Sequence, residues 1–135
     1  MEKEEIAKVM REAATDAVTI ASDQFSVDLD FSPDSLTKLD FVLLQYNLEH
    51  EENPLSSEHL FTISNIFGGY VGETFIRNVG GEWFQDESDP DAPFLCVKYS
   101  GKSFPFASTI YQKVIDDPQV SIAKYYDLAT QGVVQ

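Results

Sequence analysis

Apolar residues recur every three or four positions at the start of the chain, then switch to alternation. Ile6, Val9, Met10, Ala13, Ala17 and Ile20 share one face of a helix predicted over residues 3–22, with Lys8, Arg11, Glu12 and Asp16 largely opposite. Phe25, Val27, Leu29 and Phe31 then alternate with Ser26, Asp28, Asp30 and Ser32. That period of two predicts a strand with one buried and one wet face. Ser32-Pro33 offers a serine cap and a first-turn proline for a second helix, whose stripe is Leu36, Leu39, Val42, Leu43 and Tyr46. It runs out before Pro54, because the residue preceding a proline resists the α conformation.

From His59 to Gly72 the chain carries no Asp, Glu, Lys or Arg, which suits a helix packed on most of its circumference. This central helix, capped by Ser56 or Ser57, is predicted to run to about Val79 and to bury Leu60, Ile63, Phe67, Val71 and Phe75. It holds Gly68, Gly69 and Gly72. Each costs a helix interior about 1 kcal/mol relative to alanine. A neighbouring backbone or bound group that needs the missing Cβ would offset that cost. Gly68 and Gly72 lie four apart and so form a smooth groove beside the buried face. Tyr70, Glu73 and Arg77 make a second ridge, with Glu73 and Arg77 spaced for an i, i+4 ion pair. Gly80-Gly81 stops the helix.

A small antiparallel meander follows: Glu82 to Gln85, then Phe94 to Tyr99, then a short turn at Ser100-Gly101-Lys102 into Ser103 to Phe106. Pro105 places that third strand at an edge, and an uncovered apolar edge around Phe104 would give a homodimer its contact. A helix through Ile110, Tyr111, Val114 and Ile115 comes next. Asp117-Pro118 opens a last helix, with Val120, Ala123, Tyr126 and Leu128 inward and Gly132 as its stop. Together these elements predict one α+β domain over residues 1–135, with a buried, glycine-containing central helix packed with other helices against a small antiparallel sheet.

Composition narrows the function. Nine basic against 23 acidic residues give a formal charge of −14. Nucleic acid and anionic lipid are poor partners for such a surface, since both are held by cationic side chains. The acid gathers at Glu49, Glu51 and Glu52, at Asp86, Glu87, Asp89 and Asp91, and at Asp116 and Asp117. These are either solvated loops or an acidic face for a basic protein partner, whose encounter opposite charge would accelerate. No apolar run reaches the ~20 residues of a membrane span, and the charged start of the chain lacks a signal-peptide pattern. The expected address is cytoplasmic.

Chemistry is sparse. Cys96 is the single cysteine, so no internal disulfide or cysteine-rich zinc site exists, and its apolar run FLCV predicts a buried thiol. Read as a calcium loop from Asp28, the chain puts Pro33 where glycine is required and Leu39 where glutamate is required. His50 and His59 stand at helix ends without a nucleophile motif. No catalytic set, metal or cofactor is expected. The Tyr70–Glu73–Arg77 ridge is the remaining candidate site, with Arg77 binding a carboxylate or phosphate that Glu73 and Tyr70 orient.

The segment Gly68 to Trp83, GGYVGETFIRNVGGEW, resembles a bacterial family of domains of unknown function. Its signature corresponds here to Tyr70, Gly72, Glu73, Arg77, Gly80, Gly81 and Trp83. FPFASTIYQKVIDDP is similar to that family's proline-containing strand leading into a helix, with the basic residues late in that helix reduced to Lys113. The resemblance covers about half of the chain. It implies the fold, carries no activity with it, and adds Trp83 to Tyr70, Glu73 and Arg77 as candidate ligand-binding residues. The leading expectation is a non-enzymatic, acidic protein-binding domain, immunity- or antitoxin-like in one version. The alternative is a small-molecule binder or enzyme with a pocket centred on Glu73 and Arg77.

Overall fold

In the computed structural model, which describes residues 2–91 and 93–132, five helices surround one three-stranded sheet. In chain order these are α1 (Lys3–Phe25), α2 (Ser35–Glu52), α3 (Ser57–Asn78), β1 (Glu82–Asp86), β2 (Phe94–Tyr99), β3 (Lys102–Phe104), α4 (Phe106–Ile115) and α5 (Ile122–Thr130). The fold is α+β. The sheet is an antiparallel meander in the order β1-β2-β3, with Trp83 opposite Val97 and Phe104 opposite Val97 on the other side. Ser100 and Gly101, both at positive φ, make the two-residue turn between β2 and β3 that such a hairpin needs.

The central helix is a single unbroken cylinder, buried on every side from Phe67 to Phe75 but exposing Phe61 and Thr62 nearer its start. Ser56 caps it by accepting from the His59 N–H at 3.0 Å. Leu60, Ile63, Phe67, Val71 and Phe75 are buried as their spacing predicts. The glycines are where neighbouring elements come closest. A Cβ on Gly68 would lie 2.7 Å from the Ala107 Cα, so α4 rests on α3 backbone to backbone. On Gly69 it would come within 3.0 Å of the Ala13 methyl on α1, and on Gly72 it would collide with the Trp83 indole. Three different elements therefore use the three bare positions.

Four predicted features differ. Residues 26–31 keep the alternation of burial, with Leu29 buried and Asp28 and Asp30 exposed, but form no strand. A period of two reports which side chains face the core; it does not supply a neighbouring backbone to pair with. The segment crosses the helices in extended form and turns at Phe31, whose φ is 63°. Asp30 accepts from the Ser32 N–H and hydroxyl, and Ser32 in turn accepts from the Ser35 N–H, so this carboxylate braces the entry to α2. Those hydrogen bonds hold the Asp30 carboxyl below the usual range.

The buried face of α1 is Ile6, Met10, Ala14, Ala17 and Ala21, leaving Val9 exposed. Small residues win that face because α1 lies tight against Gly69. Phe104 is buried, stacked against Phe106 and tilted on Phe75, so the sheet shows no apolar edge there. Finally, α5 begins at Ile122 under a Ser121 cap, and Asp117–Val120 is a turn.

The α3–α4 contact yields a direct test. Gly68→Ala gains about 1 kcal/mol of helix propensity but drives a methyl into the Ala107 backbone, costing about 2–3 kcal/mol. A net loss of about 1–2 kcal/mol is expected in urea unfolding. A stabilised variant would show that the two helices do not meet there.

Candidate functional site

The sequence set Tyr70, Glu73 and Arg77 on one ridge and the resemblance added Trp83; the structure divides them. Tyr70 is fully buried, and its hydroxyl accepts from the Phe31 N–H at 2.9 Å and shares a 2.5 Å hydrogen bond with the Ser35 hydroxyl. Burial pushes its pKa above the ordinary tyrosine value, which keeps the phenol neutral and bonded. Glu73 is only 6 % exposed and accepts from Trp83 Nε1 at 2.8 Å. The same indole fills the space over Gly72. Glycine, carboxylate and indole are thus one packing unit joining α3 to β1: Gly72 admits the ring and Glu73 satisfies its N–H.

Arg77 takes no part in that unit. It is exposed, with its guanidinium 3.7 Å above the Phe31 ring, whose other neighbour is the Tyr70 ring at 4.8 Å. The i, i+4 spacing placed Glu73 and Arg77 near enough to pair. The indole N–H engages the carboxylate and the Phe31 face engages the cation, and the ion pairs among the described residues are Lys3–Glu82 and Lys113–Asp40.

Lys113 is a second buried polar cluster, and it too is turned inward. It is 4 % exposed, donates to the carbonyls of Pro118 at 2.9 Å and Val120 at 2.5 Å, and lies 3.5 Å from Asp40. Asp40 accepts from the N–H groups of Ile122 and Ala123 and from the Ser121 hydroxyl, so it occupies the positive end of α5. One carboxylate and one ammonium clamp α2, α4 and α5 together. Cys96 is buried as its apolar run predicts, and burial pushes its thiol up, away from the reactive range. Among the described residues no group of three His, Cys, Asp or Glu side chains is arranged to hold a metal ion.

An aromatic surface groove lies elsewhere. Beside the Gly68–Ala107 contact, α3 and α4 leave a gap toward the start of α3. The end of the β1–β2 hairpin closes the third side of the wedge between them. The resulting groove encloses about 490 Å³ and is lined by Phe61 and Asn65 of α3, Gln85 and Phe94 of the hairpin, and Ser108 and Tyr111 of α4, among others. No lining residue is charged. Phe61 is 70 % exposed, and Phe94 and Tyr111 are also large exposed aromatics. Three exposed aromatic rings thus gather around one concavity.

The rim is acidic. The loop from β1 to β2 leaves the groove at Gln85 and returns at Pro93, carrying Asp86, Glu87, Asp89 and Asp91 between. It is folded on its own carboxylates: Asp86 accepts from the Ser88 N–H at 2.9 Å and Asp89 from the Asp91 N–H at 3.1 Å. The hydrogen bonds from Ser88 hold the Asp86 carboxyl below its usual range, so it remains charged at neutral pH.

Sequence reasoning missed this groove. Phe61 carried the available signal, being a large aromatic in the charge-free run yet off the stripe that the core uses. Tyr111 entered the sequence reading only as a member of its helix, and the meeting of α3, α4 and the hairpin is a tertiary fact. The groove offers aromatic faces and uncharged hydrogen-bonding groups. No histidine lines it, so its serine hydroxyls have no imidazole base there.

The Glu73–Trp83 lock can be tested by a double-mutant cycle. Trp83→Phe strands a buried carboxylate and is expected to cost about 2–4 kcal/mol. Adding Glu73→Leu to that background should recover part of the loss, because no unpaired charge then remains. Additive losses in thermal or urea unfolding would refute the coupling.

Compared with protein-family models, with curated proteins and with solved structures, this chain matches none.

Proposed function

We propose that this chain is a non-catalytic, cytoplasmic protein-binding domain, and that its ligand is a basic segment of another protein carrying an aromatic or aliphatic anchor. The observation that supports this reading is the uncharged aromatic groove bordered by a self-braced acidic loop. An apolar anchor would fill the groove between Phe61, Phe94 and Tyr111, where desolvated aromatic contacts contribute most of the binding energy. Lysine or arginine beside the anchor would meet Asp86, Glu87, Asp89 and Asp91, chiefly raising the on-rate and selecting the partner. An overall charge of −14 extends the same preference over the whole molecule. An immunity- or antitoxin-like protein that covers a basic target is one form of this function.

The alternative pocket at Glu73 and Arg77 draws less support. Tyr70 and Glu73 direct their polar atoms into internal hydrogen bonds, and Arg77 lies over the Phe31 ring instead of pairing with Glu73.

The test combines capture with groove variants. Immobilised wild-type chain in native lysate should retain a basic protein, and a Phe61→Ser/Tyr111→Ser variant of unchanged unfolding midpoint should lose it by tenfold or more. Raising salt from about 0.1 to 0.5 M should also weaken retention, since the rim charges are exposed. Retention unaffected by both changes would overturn the proposal.

A further inference from the structure

The exposed side of α2 presents an apolar stripe that the groove does not use. Phe41 is 52 % exposed, Leu44 37 % and Leu48 49 %, and their spacing of three and four places them in one row. The row spans about 10 Å of helix at 1.5 Å per residue. Its flanks are unlike. Lys38, three residues before Phe41, is the single lysine or arginine of α2; Glu51 and Glu52 follow Leu48 by three and four residues. Lys38 is exposed, with one long contact, 3.4 Å to the Asp28 carbonyl, and the Asp30 carboxylate within electrostatic reach.

The carboxylates stand at the wrong end of their own helix. The C-terminus of a helix carries partial negative charge, and Glu49, Glu51 and Glu52 add three charges to it, with His50 the sole basic type in the last turn. A cation brought to this end from outside would therefore be worth more than an ordinary surface pair. Within α2 the cation is at the other end, out of reach.

We propose that the α2 stripe is a self-association surface whose occupant is the same stripe of a second copy, related by a two-fold axis. Laid antiparallel about a centre between Leu44 and Gln45, Phe41 of each copy meets Leu48 of the other, and Lys38 of each meets Glu51 of the other, with Glu52 alongside. Residue numbers in each facing pair then have one sum, which is the self-complementarity a two-fold interface requires. Antiparallel alignment also opposes the two helix dipoles. A parallel alignment would instead set Glu51 and Glu52 against their own copies.

The stripe is narrower than the roughly 1,200–2,000 Å² buried by tight complexes. The dimer is accordingly weak and governed by concentration. Screening over about 8 Å at physiological ionic strength limits the repulsion between two chains of net negative charge.

Sedimentation of the full chain at about 0.15 M salt, from about 10 µM to 1 mM, tests this. The weight-average mass should rise from monomer toward dimer. Leu44→Glu should abolish the rise. Lys38→Glu should weaken association by about tenfold, and adding Glu51→Lys and Glu52→Lys to it should restore association to within about threefold of wild type. All four positions are exposed, and unfolding midpoints confirm intact chains. A monomer at every concentration, a dimer indifferent to Leu44→Glu, or charge reversals without mutual rescue would each overturn the proposal. Because none of these residues lines the aromatic groove, partner capture is scored separately.

Discussion

Everything in this molecule depends on how closely α3 lets its neighbours approach. Ordinary helix pairs hold their axes about 8–10 Å apart because side chains stand between them. At Gly68 nothing stands between, and α4 comes to rest with its Ala107 backbone at the position a side chain would take. Gly69 gives α1 a similar seat, and Gly72 gives one to the Trp83 ring. The helix-propensity cost of three glycines is offset by dense packing on three sides at once. A large residue at any of these positions would separate elements that the rest of the core needs together.

That packing also decides where polar groups can go. A helix enclosed on most sides has few positions from which a charge can reach water, and Glu73 is not one of them. Its carboxylate stays because the indole that fills the Gly72 gap brings a donor, so the ring contributes both volume and a hydrogen bond. Tyr70 follows the same logic across the helix, tying the Phe31 bend and the start of α2 to the core through its hydroxyl. Lys113 and Asp40 repeat it under α5. Buried ionic groups of this kind add little net stability over apolar replacements. They fix which elements meet, because leaving any partner unmatched is costly.

Such internal use of polar residues explains what the sequence could and could not disclose. The charge-free run ending at Glu73 and the row Leu60, Ile63, Phe67, Val71 and Phe75 made the central helix legible, since burial and helical period act within one segment. The meander was legible for a similar reason, its turn residues being local. The Phe25–Phe31 alternation misled because it records sidedness alone. The Tyr70–Glu73–Arg77 ridge misled because angular position on a helix does not say which neighbour arrives there: an indole for Glu73, a phenyl ring for Arg77. The groove was invisible because its walls come from uncharged residues of α3, of the two ends of the β1–β2 loop and of α4, none chemically unusual in its own segment.

The same glycine contact that builds the core also shapes the surface. α3 and α4 meet over many residues with a close approach at Gly68 and Ala107, and the groove beside that approach is lined by whatever each helix displays there. In α3 and α4 that display is Phe61, Asn65, Ser108 and Tyr111, with no charge. The hairpin end and its acidic loop close the wedge and set its electrostatic border. A side chain at Gly68 would therefore alter both the packing and the groove, because one approach distance governs the two. Core packing and surface shape meet at this one missing Cβ.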